Sequence, residues 1–192
     1  MLILVSGLTL FFIPHSLREL GLRDKVIRKL PSQNAYLGLY SIVSLISIGL
    51  IVWGKASAPF SMVWQPIFQL RFISHVLMIP AFVLVVAGNT PTSYMKKQLR
   101  NPMVLGVTLW GFAHLWSNGD LASILLFGTF AVWGCFKFIA LSLTQSPVID
   151  VVGHLKEPSL LWDIISIFIG LILYWVVGVY HGELFGIGLS LV

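Results

Sequence analysis

Six long apolar runs dominate the sequence, and short segments separate them. The runs cover Met1 to Ser16, Ala35 to Trp53, Phe72 to Gly88, Pro102 to Trp116, Leu121 to Leu143 and Leu160 to Tyr180. A transmembrane helix needs about 20 mainly apolar residues, so runs of this kind predict helices that cross a bilayer. The sequence therefore predicts an all-α fold, a polytopic membrane helical bundle with about six transmembrane helices in a single domain over residues 1–192.

The composition argues against a soluble or disordered chain. Of the 192 residues, 57% are hydrophobic and 10% are charged, whereas soluble domains contain about 25% charged residues. Too few polar side chains are present to cover the surface of a soluble fold, and disorder requires low hydrophobicity. The single cysteine, Cys135, excludes an intrachain disulfide and a CxxC metal site.

The distribution of lysine and arginine predicts an orientation in the membrane. The segments that follow or end the first, third and fifth runs hold ten of the twelve basic residues. By the positive-inside rule these segments face the cytoplasm, and both termini are expected outside. The net charge of +5 is then a topology signal, and we expect no nucleic-acid partner. Lys137, near the cytoplasmic end of the fifth run, is expected either to snorkel or to pair with Asp163.

Three histidines lie within the apolar runs, namely His15, His75 and His114. Polar groups are expensive in hydrocarbon, so each is a candidate functional residue. The other two, His154 and His181, lie in a loop and at the outer end of the sixth run, and we expect them to be solvated or interfacial.

His15 has Arg18 three residues later, which places both on one helix face. The imidazole could ligate a haem iron while the arginine pairs with a propionate. The alternative is a histidine that hydrogen-bonds a carbonyl, with Arg18 serving only as a topology anchor.

His114 shares its helix face with Trp110 and Gly111, and the glycine would admit either a flat ring or another helix. His75 is expected at a similar depth and could face His114, or each could bond a neighbouring helix instead. Asp120 is predicted to cap the helix that follows it. The sequence contains no H-E-x-x-H, P-loop or G-x-G-x-x-G motif.

Several segments together resemble the NnrU family, over most of the chain. Its most specific element is H-L-x-x-N-G-D, from His114 to Asp120. The other matching segments are Pro14 to Ser16, Arg18-Glu19, Arg100 to Met103, Leu109 to Leu115, Asn118 to Ser123 and Leu126 to Gly128.

The resemblance implies a bacterial inner-membrane protein linked to nitric oxide and denitrification. The family is also similar to plant zeta-carotene isomerase, a membrane enzyme with haem b held by two histidines. His15 matches the H-S motif that carries one of those ligands. Asn101 stands where the R-H-P motif carries the other. Three outcomes remain open: a five-coordinate haem on His15, a second ligand from His114, or no haem.

These expectations define three hypotheses for the function. In the first, the protein binds haem b through His15 and His114, with His75 as a third candidate and Arg18 on a propionate, and acts on nitric oxide. In the second, it is a haem-dependent isomerase of a polyene or another lipophilic small molecule. In the third, it is a non-enzymatic membrane assembly factor. The lipid bilayer is the expected partner in all three, and the sequence does not indicate an oligomeric state.

Overall fold

Six long helices follow the six apolar runs in this computed structural model, which describes residues 1–144 and 157–186. Three short helices and a 3-10 turn, Phe68–Leu70, lie in the connections between them. In chain order the helices are α1 (Leu2–Ser16), α2 (Arg23–Ile27), α3 (Gln33–Ala56), α4 (Phe72–Asn89), α5 (Tyr94–Leu99), α6 (Pro102–Ser117), α7 (Leu121–Thr144), α8 (Leu160–Val179) and α9 (His181–Phe185). The long helices begin and end within three residues of the predicted runs.

Four of these helical segments are long and apolar enough to cross a membrane, namely Gln33–Ala56, Phe68–Asn89, Leu121–Leu141 and Leu160–Val179. The other two long helices are shorter, with 15 residues in α1 and 16 in α6. Large apolar side chains are exposed on the outer faces, as at Leu45 and Val132, which are 70% and 71% exposed. Apolar surface of this extent is typical of contact with lipid. The predicted helical membrane bundle is confirmed.

The helices pack in the spatial order α3, α1, α7, α6, α4, α8. Helices α1 and α3 form one closely packed pair. Helices α4, α6, α7 and α8 form a larger unit, in which α4 lies between α6 and α8. The two groups meet along α1 and α7, over a smaller interface than those within each group.

Glycines let the helix backbones approach closely at these crossings. A Cβ on Gly111 would lie 2.9 Å from the Phe127 carbonyl oxygen and 2.9 Å from the Ala131 nitrogen, both on α7. Gly54 on α3 likewise abuts the backbone of Leu4 on α1. Small residues at contact positions are the usual route to tight packing of membrane helices. Of the two predicted uses of Gly111, the structure shows the close approach of another helix.

A buried apolar cluster lies where α1, α3 and α7 meet. Its members are Leu4, Leu8, Ile51, Ala122, Leu126 and Phe127. The rings of Phe11, Phe12, Trp110 and Phe130 pack against this cluster. This aromatic core separates His15, near the C-terminal end of α1, from His114, near the C-terminal end of α6. The end of the bundle that holds His15 is called the inner end below, and the end that holds His114 is called the outer end, after the predicted orientation.

Candidate functional site

The H-L-x-x-N-G-D stretch forms the turn between α6 and α7, and its polar groups are engaged within the protein. The Asn118 side-chain amide donates to the His114 carbonyl at 2.8 Å. The Gly119 carbonyl accepts from the backbone nitrogens of Val63 and Trp64 at 2.8 and 3.2 Å. A Cβ on Gly119 would overlap the Trp64 carbonyl oxygen, so this contact requires glycine. The motif therefore fastens the preceding loop to the outer end of the bundle.

Asp120 caps α7, as predicted, because its Oδ1 accepts from the Ser123 backbone nitrogen at 3.0 Å. The same oxygen lies 2.9 Å from the Lys55 ammonium. Partial burial raises the pKa of Asp120, but the hydrogen bonds from Ser123 and Lys55 outweigh it and hold that pKa below its ordinary value of 3.8. This carboxylate therefore stays ionised and joins the outer end of α3 to the start of α7.

His15 has one ring nitrogen committed to its own helix. Its Nδ1 lies 2.6 Å from the Phe11 carbonyl oxygen. A carbonyl can only accept, so Nδ1 carries the proton, and the Nε2 of a neutral His15 carries a lone pair. The ring stacks on Phe11 with centroids 4.0 Å apart, and Tyr40 and Trp133 lie at 4.8 and 6.2 Å.

A buried ion pair lies beside His15. The Lys137 ammonium is 3.2 Å from the Glu19 carboxylate and donates to the His15 carbonyl at 2.5 Å. The Glu19 side chain is 3% exposed and that of Lys137 is 17% exposed. This contact joins the inner end of α1 to α7, and Trp133 reinforces it by donating to the Ser16 hydroxyl at 3.1 Å.

The alternative pairing of Lys137 with Asp163 is wrong. Both carboxylate oxygens of Asp163 accept from the backbone, at 2.9 Å from the nitrogens of Tyr94 and Met95. Asp163 therefore satisfies the first amides of α5, which no residue of α5 itself could do. Lys137 instead contacts the end of α1 and the residues just after it, where the Glu19 carboxylate is its counter-charge.

Arg18 lies beyond the end of α1 and is exposed. The charged residue of this segment that enters the protein is its neighbour Glu19. Arg18 therefore lies at the rim of the bundle, one turn from His15, where an anionic group at the membrane surface could reach it.

His114 repeats the arrangement seen at His15. Its Nδ1 lies 2.9 Å from the Trp110 carbonyl oxygen, so in the neutral ring its Nε2 also carries a lone pair. The ring stacks on Phe127 with centroids 4.5 Å apart. A second imidazole, that of His181, lies 6.5 Å away at an interplanar angle of 24°.

His75 has different neighbours. Its Nδ1 lies 3.0 Å from the Tyr174 hydroxyl on α8, which can donate or accept. His75 was expected at a similar depth to His114. The residues beside them support this, because the Ser74 hydroxyl donates to the Ala113 carbonyl at 2.7 Å. Of the two alternatives for His75, the structure shows the bond to a neighbouring helix, through Tyr174 on α8. His75 does not face His114, against which Phe127 and His181 lie.

The structure does not bring His15 and His114 into contact. Aromatic rings link them instead: Phe11 lies 5.5 Å from Phe130, and Phe130 lies 5.4 Å from Trp110. Within residues 1–144 and 157–186, no group of three or more His, Cys, Asp or Glu side chains is arranged to hold a metal ion. Asn101 immediately precedes α6, whereas His114 lies near its other end, about 20 Å away along the helix.

An apolar groove of about 440 Å³ runs along α1 and α7. Its lining residues are Val5, Leu8, Thr9, Phe12, Ile13, Ser16, Leu20, Leu125 and Thr129. A second concavity, of about 490 Å³, lies near the outer ends of α4, α6 and α7 and is lined by Trp64, Leu77, Phe112, Leu115, Trp116 and Ile124. Both are lined almost entirely by apolar groups, and neither includes a histidine.

Sequence reasoning missed two residues, Glu19 and His181. The signal for Glu19 was its position four residues after His15, which places a carboxylate on the same helix face. His181 was expected to be interfacial, yet the start of α9 places it half-buried beside His114. His154 and residues 187–192 of the tail lie outside the described residues.

A family model described as NnrU protein matches residues 3–189, nearly the whole chain. The chain therefore belongs to the NnrU family, and the resemblance found in its sequence is confirmed. No curated protein and no solved structure matches it.

Proposed function

We propose that this membrane protein of the NnrU family binds haem b inside its helical bundle and uses the iron to sense or process nitric oxide. The observation that carries the proposal is the state of two intramembrane imidazoles. His15 and His114 each direct Nδ1 at a carbonyl four residues earlier, at 2.6 and 2.9 Å. Metal-binding histidines almost always hold their second ring nitrogen in this way. Both therefore suit ligation of iron through Nε2.

The aromatic neighbours of both histidines also support the proposal. Aromatic rings stack on each imidazole, with Phe11 on His15 and Phe127 on His114. An apolar wall excludes water and favours the neutral imidazole that binds iron. When bound, the haem would supply one-electron chemistry and a coordination site for nitric oxide.

Each candidate residue has a distinct role in this proposal. His15 and His114 are the first candidate ligands, and Arg18, exposed at the inner rim, would hold a propionate of a haem on His15. His75 ranks third, because the hydroxyl of Tyr174 does not fix which ring nitrogen carries the proton. Asn101 cannot supply an imidazole, so a pair built on His15 and the R-N-P position is not available to this chain.

We place the protein in the bacterial inner membrane with both termini outside. The contact between Lys137 and the His15 carbonyl supports this orientation, because it puts the end of α7 on the same side as the basic segment after α1. Reporter fusions after Ser16, Gly54 and Gly88 test it. We expect cytoplasmic signals at the first and third positions and an external signal at the second.

The experiment is an absorbance spectrum of the purified protein, oxidised and reduced, after expression with ample haem. We expect a Soret band in the wild type that shifts when nitric oxide is added to the reduced form. His15→Ala and His114→Ala are each compared with His75→Ala, which also truncates a half-buried imidazole. We expect the first two to alter the spectrum and the third to leave it unchanged.

A wild-type protein without a Soret band under these conditions contradicts the proposal. If, in addition, the double variant of His15 and His114 supports full function in cells, the histidines are packing residues. That result would favour a non-enzymatic factor that assists assembly of respiratory complexes.

The groove along α1 and α7 favours a second candidate function, isomerisation of a polyene or similar lipophilic substrate. At about 440 Å³ it falls within the range of roughly 300–1,000 Å³ typical of small-molecule sites. Ser16, at one end of the groove, directly follows His15. An apolar substrate could therefore enter from the bilayer and approach a haem on His15.

Product analysis in cells that make the candidate polyene tests this function. Thr9→Trp fills the groove and should abolish isomer formation, whereas Val132→Trp changes a side chain that is 71% exposed on α7 and should not. Equal product from both variants would remove the groove from consideration, and no product from the wild type would exclude that substrate.

A further inference from the structure

The groove along α1 and α7 ends beside basic side chains. We propose that it binds one anionic phospholipid, whose acyl chain lies in the groove and whose phosphate contacts Arg18. The groove has a volume of about 440 Å³ and lies where the pair of α1 and α3 meets the larger group of helices. This inference concerns a bound lipid and goes beyond the proposed function, because it requires neither haem nor a reaction.

The wall of the groove suits a hydrocarbon chain. On α1, the Thr9 hydroxyl donates to the Val5 carbonyl at 2.9 Å. On α7, the Thr129 hydroxyl donates to the Leu125 carbonyl at 2.5 Å. These donors are used within their own helices, so the wall offers little to a polar ligand. Val5 and Ile13 are 43% and 58% exposed, and the groove is therefore open to the bilayer.

The length of the groove matches one leaflet of a bilayer. Along α1 the groove extends from Val5 to Ser16, which is about 16 Å at 1.5 Å per residue. The hydrocarbon core of a bilayer is about 30 Å thick, so one leaflet contributes roughly 15 Å. A chain that fills the groove therefore comes from one leaflet, and its headgroup lies at one end of the groove.

Basic residues mark the end at which the headgroup lies. Arg18 is exposed and lies between Ser16 and Leu20, both of which line the groove. The Leu20 nitrogen donates to the Ser16 carbonyl at 3.1 Å, so Arg18 lies within one turn of the end of the groove. A guanidinium binds phosphate through charge-assisted hydrogen bonds. Further exposed basic residues follow in the same segment, namely Lys25, Arg28 and Lys29.

The acidic residues of this segment do not cancel its charge. Residues 17–30 include five basic and two acidic side chains. One of the acidic residues, Glu19, is 3% exposed and is paired with Lys137 of α7. The other, Asp24, is exposed on α2. The exposed charge beside the groove is therefore positive, which favours an anionic headgroup over a zwitterionic one.

A lipid in this groove contacts α1 and α7 together. These helices form the junction between the two groups of helices, and this junction is smaller than the interfaces within each group. A ligand that binds only the folded bundle stabilises it by mass action. The bound lipid therefore strengthens the junction, and the melting temperature of the protein should depend on which lipid is present.

The test is native mass spectrometry of the full-length protein in a neutral detergent. Phosphatidylglycerol, which is anionic, is compared with zwitterionic phosphatidylcholine of the same acyl chains. We expect the wild type to retain phosphatidylglycerol in preference and to melt at a higher temperature in its presence. Arg18→Gln should lower the affinity for phosphatidylglycerol by about tenfold, as the loss of a charged hydrogen bond predicts. Its affinity for phosphatidylcholine should not change.

Matched controls separate the charge from the groove. Arg18→Lys keeps the charge and should keep the preference. Lys97→Gln removes an exposed charge on α5, which packs against α4, α6 and α8, and should also keep it. Thr9→Trp fills the groove and should reduce the retention of both lipids, whereas Val132→Trp alters a side chain that is 71% exposed on α7 and should not. Circular dichroism shows that each variant is folded.

Three outcomes would overturn the inference. The first is equal retention of the two lipids by the wild type. The second is an equal loss of preference in Arg18→Gln and Lys97→Gln, because the preference would then come from the basic surface as a whole. The third is displacement of the lipid by inorganic phosphate at the same concentration, because the acyl chain would then add nothing.

The result is distinguishable from that of the proposed function. Arg18 is also assigned there to a haem propionate, so lipid binding is measured in samples prepared with and without haem. The absorbance of the same samples reports their haem content. A protein that never binds haem contradicts the proposed function and leaves a lipid preference that depends on Arg18 in place. A haem protein without that preference contradicts only the lipid site.

Discussion

The two ends of the bundle each hold an imidazole, and the imidazoles have opposite neighbours. At the inner end, His15 lies beside the buried ion pair of Glu19 and Lys137. At the outer end, His114 lies against Phe127 and a second imidazole, that of His181. The same side chain, with the same bond to its own helix, therefore lies beside an ion pair at one end and beside aromatic rings at the other.

This difference indicates that the two ends have different tasks. The ion pair lies where α1 meets α7, at the interface between the two groups of helices, which is smaller than the interfaces within each group. The bond from Lys137 to the His15 carbonyl joins α1 and α7 directly. A buried charge must be matched by an opposite one, so the ion pair at the inner end holds α1 and α7 together. The outer end gains its order from the close packing of α6 and α7.

The largest effect is expected from removing one partner of the inner ion pair. Glu19→Ala leaves the Lys137 ammonium buried without its counter-charge, and the free energy of unfolding should fall by about 3–5 kcal/mol. Unfolding in mixed detergent micelles measures this change.

The matched control replaces both partners. Glu19→Gln combined with Lys137→Met removes both charges and keeps the side-chain volume, so most of the lost stability should return. If the double variant is as unstable as Glu19→Ala, the shape of these side chains matters more than their charge, and the contrast between the two ends is weakened.

Much of this architecture could be predicted from the sequence. The six apolar runs predicted the long helices to within three residues, because hydrocarbon requires a continuous apolar segment with its backbone bonds made internally. The cap formed by Asp120 was also predicted, since it depends on residues close in sequence.

The pairing of distant residues could not be predicted. Glu19 and Lys137 meet only because α1 packs on α7, and His114 meets His181 only because α9 turns back toward the end of α6. A single sequence indicates which residues share a face of a helix, but it does not indicate which other helix packs against that face. The two alternatives that the structure does not realise, Lys137 with Asp163 and His75 with His114, were pairings of this kind.

A smaller effect is expected at the packing beneath the outer imidazole. Gly111→Ala places a methyl group 2.9 Å from backbone atoms of Phe127 and Ala131, so α6 must move away from α7. Overpacking of this kind costs about 1–3 kcal/mol. We expect a lower free energy of unfolding in detergent micelles.

Gly128→Ala is the control, because a Cβ there would meet only the Leu115 side chain at 3.9 Å. It exchanges a helical glycine on the same helix pair without a clash and should be neutral or stabilising by about 0.5–1 kcal/mol. Equal losses in the two variants would show that contact between the α6 and α7 backbones does not order the outer end.

The smallest effect is expected from Asp120, which forms an ion pair with Lys55 at the outer end. Asp120→Ala removes both the helix cap and the partner of Lys55, at a cost of about 1–2 kcal/mol. Asp120→Asn keeps a capping oxygen and loses only the ion pair, and because Lys55 is 31% exposed the cost should be about 0.2–1 kcal/mol. If Asp120→Asn is as destabilising as Glu19→Ala, the two ends do not differ in their dependence on charge.

The pH dependence of the free energy of unfolding tests how far the outer end depends on charge. The folded-state pKa of Asp120 is held below the ordinary 3.8, so the unfolded chain takes up a proton first as the pH falls. The stability that this carboxylate contributes is complete well above pH 3.8 and is lost as the pH falls through its folded-state pKa, below 3.8. Unfolding curves between pH 7 and pH 3 should therefore show wild type and Asp120→Asn converging only at the acid end of that range. A difference that stays constant down to pH 3 would mean that the folded state does not lower the pKa of Asp120, and that the bonds from Ser123 and Lys55 do not favour its charged form.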